Sequence, residues 1–380
     1  MNELNAKDTY LTFCEYEAFQ NFLEKMNSED QWICVEGKDL KVNNIDAGEI
    51  PQYIYKDATP EQIDAAYRDG ALYAEINAEK FLLNDLALFT LNDRAGITSR
   101  YTKAVSQEEP QRLVDLLNIA LPYWKNKVKC LVRGGQIMAA HSDNYIMLPQ
   151  NDVFSISKKL MQARFPDAKF KNANYSHVQS EMTFSLCDHK DAILAGYMKS
   201  WLAAGYAQSA LEKSHPMFSI RTSDIGMFCL EILPQLFVHT AEYPLGEPIK
   251  IKHNGSASLK ELEHAMDLAY ASLNDGLQTV SDMLETELSY PVEAFTGACK
   301  QVGMHKFCKK LLKKMIEEFS YSFCPGETMT AYAVYSSICE IKYSNEYKAM
   351  SAGMKLKVDE SIYRLLKVDW LSVDRVGITL

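Results

Sequence analysis

The sequence predicts an α+β protein with a central, mostly antiparallel sheet built from hairpins and a helical C-terminal section. Three observations support this prediction. Short runs of alternating apolar and polar residues recur through the middle of the chain, Gly-Gly and Asn/Asp clusters separate them, and helical spacing of apolar residues dominates from Ser258 onwards. We expect an acidic mixed α/β region over 1–124, a β-rich domain over 125–257 and a helical region over 258–380 packed on that domain.

The first region mixes helix and strand signals. Thr59 to Gln62 form a capping box with proline at the first helical position, which predicts a short helix from Pro60 to Arg68. A second capping box, Ser106 to Glu109, predicts a helix whose apolar face is formed by Leu113, Leu116, Leu117 and Leu121. Each helix therefore has one face to pack against a sheet.

A hairpin opens the β-rich domain. Val128, Cys130 and Val132 alternate with Lys127, Lys129, Leu131 and Arg133, and the sequence returns as a second strand over 136–140. Gly134-Gly135 meets the demand of a two-residue hairpin loop for positive φ. We favour this interpretation over a phosphate-cradling loop, because such a loop would lead directly into a helix N-terminus. The next helix begins only at Asn151 or Asp152, which are candidate caps.

Further strands and helices follow in order. Alternation over 178–186 and apolar runs over 217–220, 227–238 and 248–253 predict strands, and a helix is expected over 192–204. Ser258 opens a third capping box and a helix of about eight turns, and later helices are expected over 304–319 and 329–341.

The bulk composition predicts a cytoplasmic protein without a membrane span. The chain has 380 residues, of which 47% are hydrophobic and 24% charged, as in most folded proteins. Nine cysteines without a C-x-x-C pair are typical of reduced thiols, and the chain starts without the segments of a signal peptide. No window approaches about 18 uninterrupted apolar residues.

The charge is unevenly distributed. A net charge of −10 disfavours sequence-independent binding to a polyanion. Residues 1–100 hold 9 basic and 19 acidic side chains, whereas residues 101–200 hold 13 basic and 9 acidic ones and residues 301–380 hold 12 and 9. Positive surface is thus concentrated in the second and last quarters.

No motif in the sequence identifies a reaction. Walker, G-x-G-x-x-G, G-x-S-x-G and H-E-x-x-H patterns are absent, so we expect no cofactor and no metal. Cys299, His305 and Cys308 are interpreted as core residues, and Asp188 as a helix cap rather than part of a catalytic group. The polar residues that lie at predicted strand ends, and are therefore candidates for a catalytic cluster, are His141, Asp143, Arg221, Asp224 and His253.

Two basic segments are candidates for nucleic-acid contact. The first combines rings and cations next to the hairpin: Tyr123, Trp124, Lys125, Lys127, Lys129 and Arg133. The second is one face of the helix over 304–319: Lys309, Lys310, Lys313 and Lys314. Aromatic residues beside spaced lysines suit a single-strand groove, where stacking contributes about 1–3 kcal/mol per base. The alternative is a solvated helix face, since Glu317 and Glu318 follow at once.

Several segments together resemble the phage/plasmid-related protein family that is grouped under a domain of unknown function. They are VRGGQIMAAHSDNYIMLPQNDVF, FSIRTSDIG, IKIKHNG and TAYAVYSSICEI, and the resemblance covers roughly 125–345. It implies a protein of a phage, plasmid or integrated element in a bacterial host, with a role in replication, recombination or strand annealing. The resemblance implies no catalytic residues for this chain.

Three functions follow as hypotheses. The first, which we favour, is an accessory protein that binds single-stranded nucleic acid. The second is a module that engages a host or phage protein, for example a defence or replication protein, through the acidic first hundred residues. The third is an uncharacterised enzyme built on the polar cluster. Further copies of the same chain, as a homo-oligomer, are another expected partner.

Overall fold

The computed structural model describes residues 10–45, 58–68, 71–97, 105, 108–176, 179–223, 225–226, 228–253, 257–322, 326–350 and 352–380. It confirms the α+β class, with antiparallel sheets and a helical C-terminal section. None of the helices within these ranges has the length and apolar composition that crossing a bilayer requires.

Six strands form the first sheet: β2 (Asp30–Glu36), β3 (Leu40–Asn44), β4 (Leu72–Ile76), β5 (Glu79–Leu83), β6 (Lys127–Arg133) and β7 (Gln136–Ser142). Their order is β2-β6-β7-β5-β4-β3; the β5–β7 pair is parallel and the other pairs are antiparallel. Gly134 and Gly135 join β6 to β7 with φ of 54° and 74°, as the hairpin prediction requires.

Three helices accompany this sheet: α2 (Pro60–Arg68), α3 (Asp85–Arg94) and α4 (Pro110–Ala120). The α2 prediction is confirmed at both ends. Helix α4 begins at Pro110 rather than at the predicted capping box, part of which lies outside the described residues. Its buried leucines pack with Val128, Cys130 and Val132, so the apolar face of β6 is covered on this side.

Seven strands form the second sheet: β1 (Tyr10–Phe13), β8 (Lys169–Ser176), β9 (Ser180–Ser185), β10 (His215–Thr222), β11 (Leu230–Val238), β12 (Ala241–Pro244) and β13 (Ile249–Ile251). All pairs are antiparallel, in the order β1-β8-β9-β10-β11-β12 with β13 also on β11. The helices that precede or connect these strands are α1 (Tyr16–Glu29), α5 (Gln150–Arg164), α6 (Lys190–Ala203) and α7 (Gln208–Glu212).

The C-terminal section contains α8 (Leu259–Glu285), β14 (Glu287–Leu288), α9 (Pro291–Gln301), α10 (His305–Ser320), β15 (Met329–Thr330), α11 (Ala331–Cys339), α12 (Asn345–Lys348), α13 (Ala352–Leu365) and α14 (Trp370–Val373). Ser258 caps α8 as predicted, since its hydroxyl accepts a hydrogen bond from the Glu261 amide at 3.3 Å. The buried stripe of α8 packs on the second sheet within one core. The helical section and the second sheet therefore stabilise each other.

Strand pairing crosses the expected boundary near residue 125. Strand β2 pairs with β6 along its whole length, so the acidic first region and the predicted hairpin share one sheet. Strand β1 pairs instead with β8 of the second sheet. The N-terminal segment that contains β1, α1 and β2 thus connects the two sheets.

Candidate functional site

A cleft lies where the loop between β10 and β11 meets the end of the first sheet. Its volume is about 280 Å³. The residues that line it are Arg94, His141, Ser142, Asn144, Tyr145, Gly226, Phe228, Cys229, Lys252 and His253. We call it the basic cleft.

Nearly parallel rings form one wall of the basic cleft. The ring of Tyr145 lies 4.0 Å from that of His141, with an interplanar angle of 12°. His253 and Trp32 also pack on Tyr145. The ring centre of His253 lies 5.4 Å from that of Tyr145 with an interplanar angle of 22°, and that of Trp32 lies 5.7 Å away with an angle of 27°. We call Trp32, His141, Tyr145 and His253 the ring stack.

Local chain geometry brings these rings together. His141 ends β7, where it lies opposite Lys129 of β6. A turn follows, closed by a hydrogen bond of 3.0 Å from the Tyr145 amide to the Ser142 carbonyl. The Ile146 amide then donates to the His253 carbonyl at 2.9 Å, and Nδ1 of His253 lies 3.2 Å from the Ile146 carbonyl. The polar residues after the hairpin therefore fold back onto the strand end.

Glycine is required where the loop crosses the ring stack. Gly226 has a φ of 65°, a backbone conformation that residues with a side chain rarely adopt. A Cβ atom there would lie 2.7 Å from Cε2 of Tyr145 and 2.8 Å from Cε1 of His141. The backbone at Gly226 can approach the rings this closely only because it carries no side chain.

Both histidines of the stack are neutral at pH 7. Burial lowers the pKa of His141 to about 4, and the charges of Arg94 and Lys129 act in the same direction. Burial also lowers the pKa of His253, against hydrogen bonds to the backbone of Ile146 and Phe228. Nε2 of each ring is buried and, within the described part of the chain, has no hydrogen-bond partner.

Cations surround the stack. Lys129 lies with Nζ 5.3 Å from the centre of the Trp32 ring and donates to the Tyr145 carbonyl at 3.2 Å. Arg94 lies over the ring of Trp124 at 5.3 Å and pairs with its neighbour Asp93. Lys252 is exposed. The lining residues named above include no carboxylate, so the basic cleft favours anionic ligands.

A cysteine, Cys229, lines the cleft. Burial and the nearby Glu231 raise the pKa of the Cys229 thiol to about 11, which keeps it protonated at pH 7. Among the described residues, no group of three or more His, Cys, Asp or Glu side chains could hold a metal ion.

The predicted polar cluster comes together only in part. His141 and His253 line the same cleft, and Asp143 is exposed in the turn beside it. Asp224 lies outside the described residues. Arg221 does not join them: its Nε lies 3.0 Å from Glu181 and its Nη1 donates to the Tyr363 hydroxyl at 3.0 Å.

The reason for the position of Arg221 is a row of alternating charges across the second sheet. Glu181, Arg221, Glu231 and Lys250 occupy paired positions on β9, β10, β11 and β13. Burial opposes these charges, yet the Glu181 carboxylate still raises the pKa of Arg221, and Arg221 lowers that of Glu181. This guanidinium therefore stabilises the sheet and is not a member of the cleft.

The first predicted nucleic-acid segment borders the basic cleft, with one correction. Tyr123 is 82% exposed, Lys125 and Lys127 are exposed, and Lys127 lies 3.9 Å from Glu36. Arg133 was expected in this surface but is 1% exposed.

The burial of Arg133 has a local cause, because Asp30 lies opposite it on β2. Its Nε and Nη2 donate to the two carboxylate oxygens of Asp30 at 2.6 and 3.1 Å. Its Nη1 donates to the Tyr175 hydroxyl at 3.4 Å, on β8 of the second sheet. Arg133 thus connects the two sheets.

The second predicted segment lies on another element. Lys309, Lys310, Lys313 and Lys314 are exposed on α10, which is part of the C-terminal section. Lys313 lies 3.9 Å from Glu317, and Lys314 lies 2.9 Å from Glu346. None of these lysines lines the basic cleft.

Sequence reasoning missed Trp32, Arg94, Tyr145 and Lys252. Tyr145 belongs to the Ser-Asp-x-Tyr segment that carried the family resemblance, so a signal was present there. Comparisons with family models, with curated proteins and with solved structures found no match, and the resemblance stays a prediction.

Proposed function

We propose that this chain is an accessory protein of a phage or plasmid that binds single-stranded nucleic acid in replication, recombination or annealing, with the basic cleft as its contact surface. The observation that carries the proposal is a stack of aromatic rings bordered by cations, in a lining without carboxylates. Single strands offer unstacked bases and phosphates side by side, which such a surface can contact together.

The cleft is continuous with the exposed segment before the hairpin. Arg94 lines the cleft and also lies over the ring of Trp124, next to the exposed Tyr123. Lys125 and Lys127 follow on the same segment. A strand that enters the cleft with one nucleotide would therefore meet further rings and cations along this path, as backbone tracking requires.

The size of the cleft limits how much of a strand it can hold. Because the cleft volume is about 280 Å³, near the lower end of roughly 300–1,000 Å³ for ligand pockets, it suits one nucleotide at a time.

We expect this binding to be sensitive to salt, because it depends on a few local cations. Since the net charge is −10, attraction must come from the local arrangement of Arg94, Lys129 and Lys252 rather than from the whole molecule. Surface fields of this kind are screened within about 10 Å at 0.1 M salt.

The test is fluorescence anisotropy of a labelled single-stranded oligonucleotide titrated with the full chain and with Lys252→Glu. We expect the charge reversal to weaken binding about tenfold at low salt and to reduce the salt slope by about 1. The matched control is Lys199→Glu, which reverses an exposed lysine on α6. A control variant that loses as much affinity as Lys252→Glu, or a wild-type chain that does not bind, would overturn the proposal.

A further inference from the structure

A second and larger cavity lies beside α6 and α11, independent of the proposed function. Its volume is about 1030 Å³. The rings that line it are Trp201, Tyr206, Tyr243, Tyr332 and Tyr343, and the charged or titratable side chains are Glu212, Lys213, His239 and Glu340. We call it the aromatic groove.

The rings of the groove meet at steep angles. Tyr332 stands nearly perpendicular to Trp201, at 5.6 Å and 79°, and to Tyr206, at 6.0 Å and 82°. Trp201 and Tyr206 are 4.6 Å apart. Trp201 and Tyr332 are buried and form the floor, whereas Tyr206 and Tyr243 are half-buried walls. Ring faces of different orientation therefore surround one space.

Hydrogen bonds at their polar ends hold the rings in place. Nε1 of Trp201 donates to the Ala207 carbonyl at 3.0 Å, and the Tyr206 hydroxyl lies 2.8 Å from Oγ1 of Thr330. The Tyr343 hydroxyl accepts from the Glu242 amide at 2.8 Å. The polar ends of Trp201, Tyr206 and Tyr343 are therefore engaged within the protein.

A carboxylate lies in line with the floor. Tyr332, Ser336 and Glu340 line the groove and are four residues apart, so they lie on one side of α11 and the helical turn that follows it. The Glu340 side chain is partly exposed to solvent. Burial of the rest of the side chain raises the pKa of its carboxyl group above the ordinary value. Its negative charge is therefore only partly screened.

We propose that the aromatic groove binds an organic cation, an ammonium group that carries methyl or alkyl substituents. Ring faces are negative and attract a cation within about 6 Å, most strongly where water is excluded. Glu340 supplies the countercharge beside the floor formed by Trp201 and Tyr332. Lys213, which follows α7, and His239, in the β11–β12 turn, also line the groove.

The experiment compares choline with dimethylbutanol, its uncharged carbon isostere, by calorimetric titration of the full chain. Both ligands bury the same apolar groups, so a difference reports the positive charge. We expect choline to bind at least about tenfold more tightly. Equal affinity of the two ligands, or no binding of choline, would overturn the inference.

Two variants test the roles of the Glu340 charge and of a ring face in choline binding. Glu340→Gln should weaken choline about fivefold and leave dimethylbutanol unchanged, whereas Glu317→Gln, an equally exposed glutamate on α10, should change neither. Tyr206→Leu keeps an apolar wall without a ring face, and we expect it to weaken choline more than dimethylbutanol. If Glu340→Gln and Glu317→Gln have the same effect on choline, Glu340 is not the countercharge and the inference fails. Oligonucleotide binding is measured separately, so its loss or presence does not bear on these results.

Discussion

The basic cleft and the aromatic groove are both rich in rings, yet their chemistry points to ligands of opposite charge. In the cleft, Tyr145 and the two histidines stack nearly parallel, and the charged groups in the lining are Arg94 and Lys252. In the groove, rings meet edge to face, and the charged lining residues are Glu212, Lys213 and Glu340. Ring content alone therefore does not define a ligand; ring orientation and the neighbouring charges do.

The two sites also differ in how the fold builds them. The cleft combines β7, the following turn, the loop between β10 and β11 and the segment after β13, so it depends on contact between the two sheets. The groove uses α6, α7, the β11–β12 turn and α11, all on the side of the second sheet and the C-terminal section. Damage to the sheet contact should therefore affect the first site and spare the second.

The largest expected effect is that of Arg133→Met. Its removal takes from Asp30, whose side chain is 11% exposed, the guanidinium that donates to both carboxylate oxygens, and breaks the hydrogen bond to Tyr175. Breaking a buried pair in this way costs roughly 3–5 kcal/mol of the free energy of unfolding. We expect urea unfolding to show this loss, oligonucleotide binding to weaken, and choline binding by the folded fraction to stay unchanged.

The control for Arg133→Met is Arg112→Met, which removes an exposed arginine paired with Glu109 on α4. That change should shift the free energy of unfolding by less than about 0.5 kcal/mol. If Arg133→Met weakened choline as much as the oligonucleotide, the separation of the two sites would be wrong.

Acid is expected to act on both regions through different residues. His141 has a folded-state pKa of about 4 and an ordinary value of 6.5 when unfolded, so the unfolded chain binds the proton more readily. Stability is therefore complete above pH 6.5 and is lost as the pH falls towards 4, by up to roughly 3 kcal/mol for this residue. In the groove, the raised pKa of Glu340 means that choline binding also weakens on acidification, because the countercharge is neutralised.

Denaturant titrations between pH 7 and pH 4 check the contribution of His141. In His141→Phe the part of the pH dependence due to this residue should disappear, while His264→Gln, an exposed histidine on α8, should keep the wild-type profile. A profile that His141→Phe leaves unchanged would show that burial does not lower the pKa of His141.

Rules that depend only on residues close together in the sequence predicted much of the fold. The hairpin glycines, the ends of α2 and the Ser258 cap follow from turn and capping chemistry that neighbouring residues define, and the structure confirms each. The α+β class follows from the same periodicities. These predictions succeeded because no distant contact was needed to make them.

The basic cleft could not be predicted in the same way. Trp32 and Arg94 lie in the acidic first hundred residues. Trp32 packs on Tyr145 because β2 pairs with β6 about 100 residues later in the chain, and Arg94 lines the cleft from the end of α3. The same pairing places Asp30 opposite Arg133 and buries a residue that looked exposed from the sequence. It also means that residues 1–100 are not a detachable tail, since they supply four strands of the first sheet.

The smallest expected effect concerns the lysines of α10. Lys309→Glu with Lys310→Glu should change oligonucleotide affinity by less than about twofold, because exposed charges more than a Debye length from the ligand are screened. The same double reversal at Lys125 and Lys127, which border the cleft, should weaken binding several-fold and reduce the salt slope by about 2. Anisotropy at two salt concentrations compares the two variants directly. Equal losses would place α10 in the contact surface, and the ring stack would then be one part of a longer path for the strand rather than its main site.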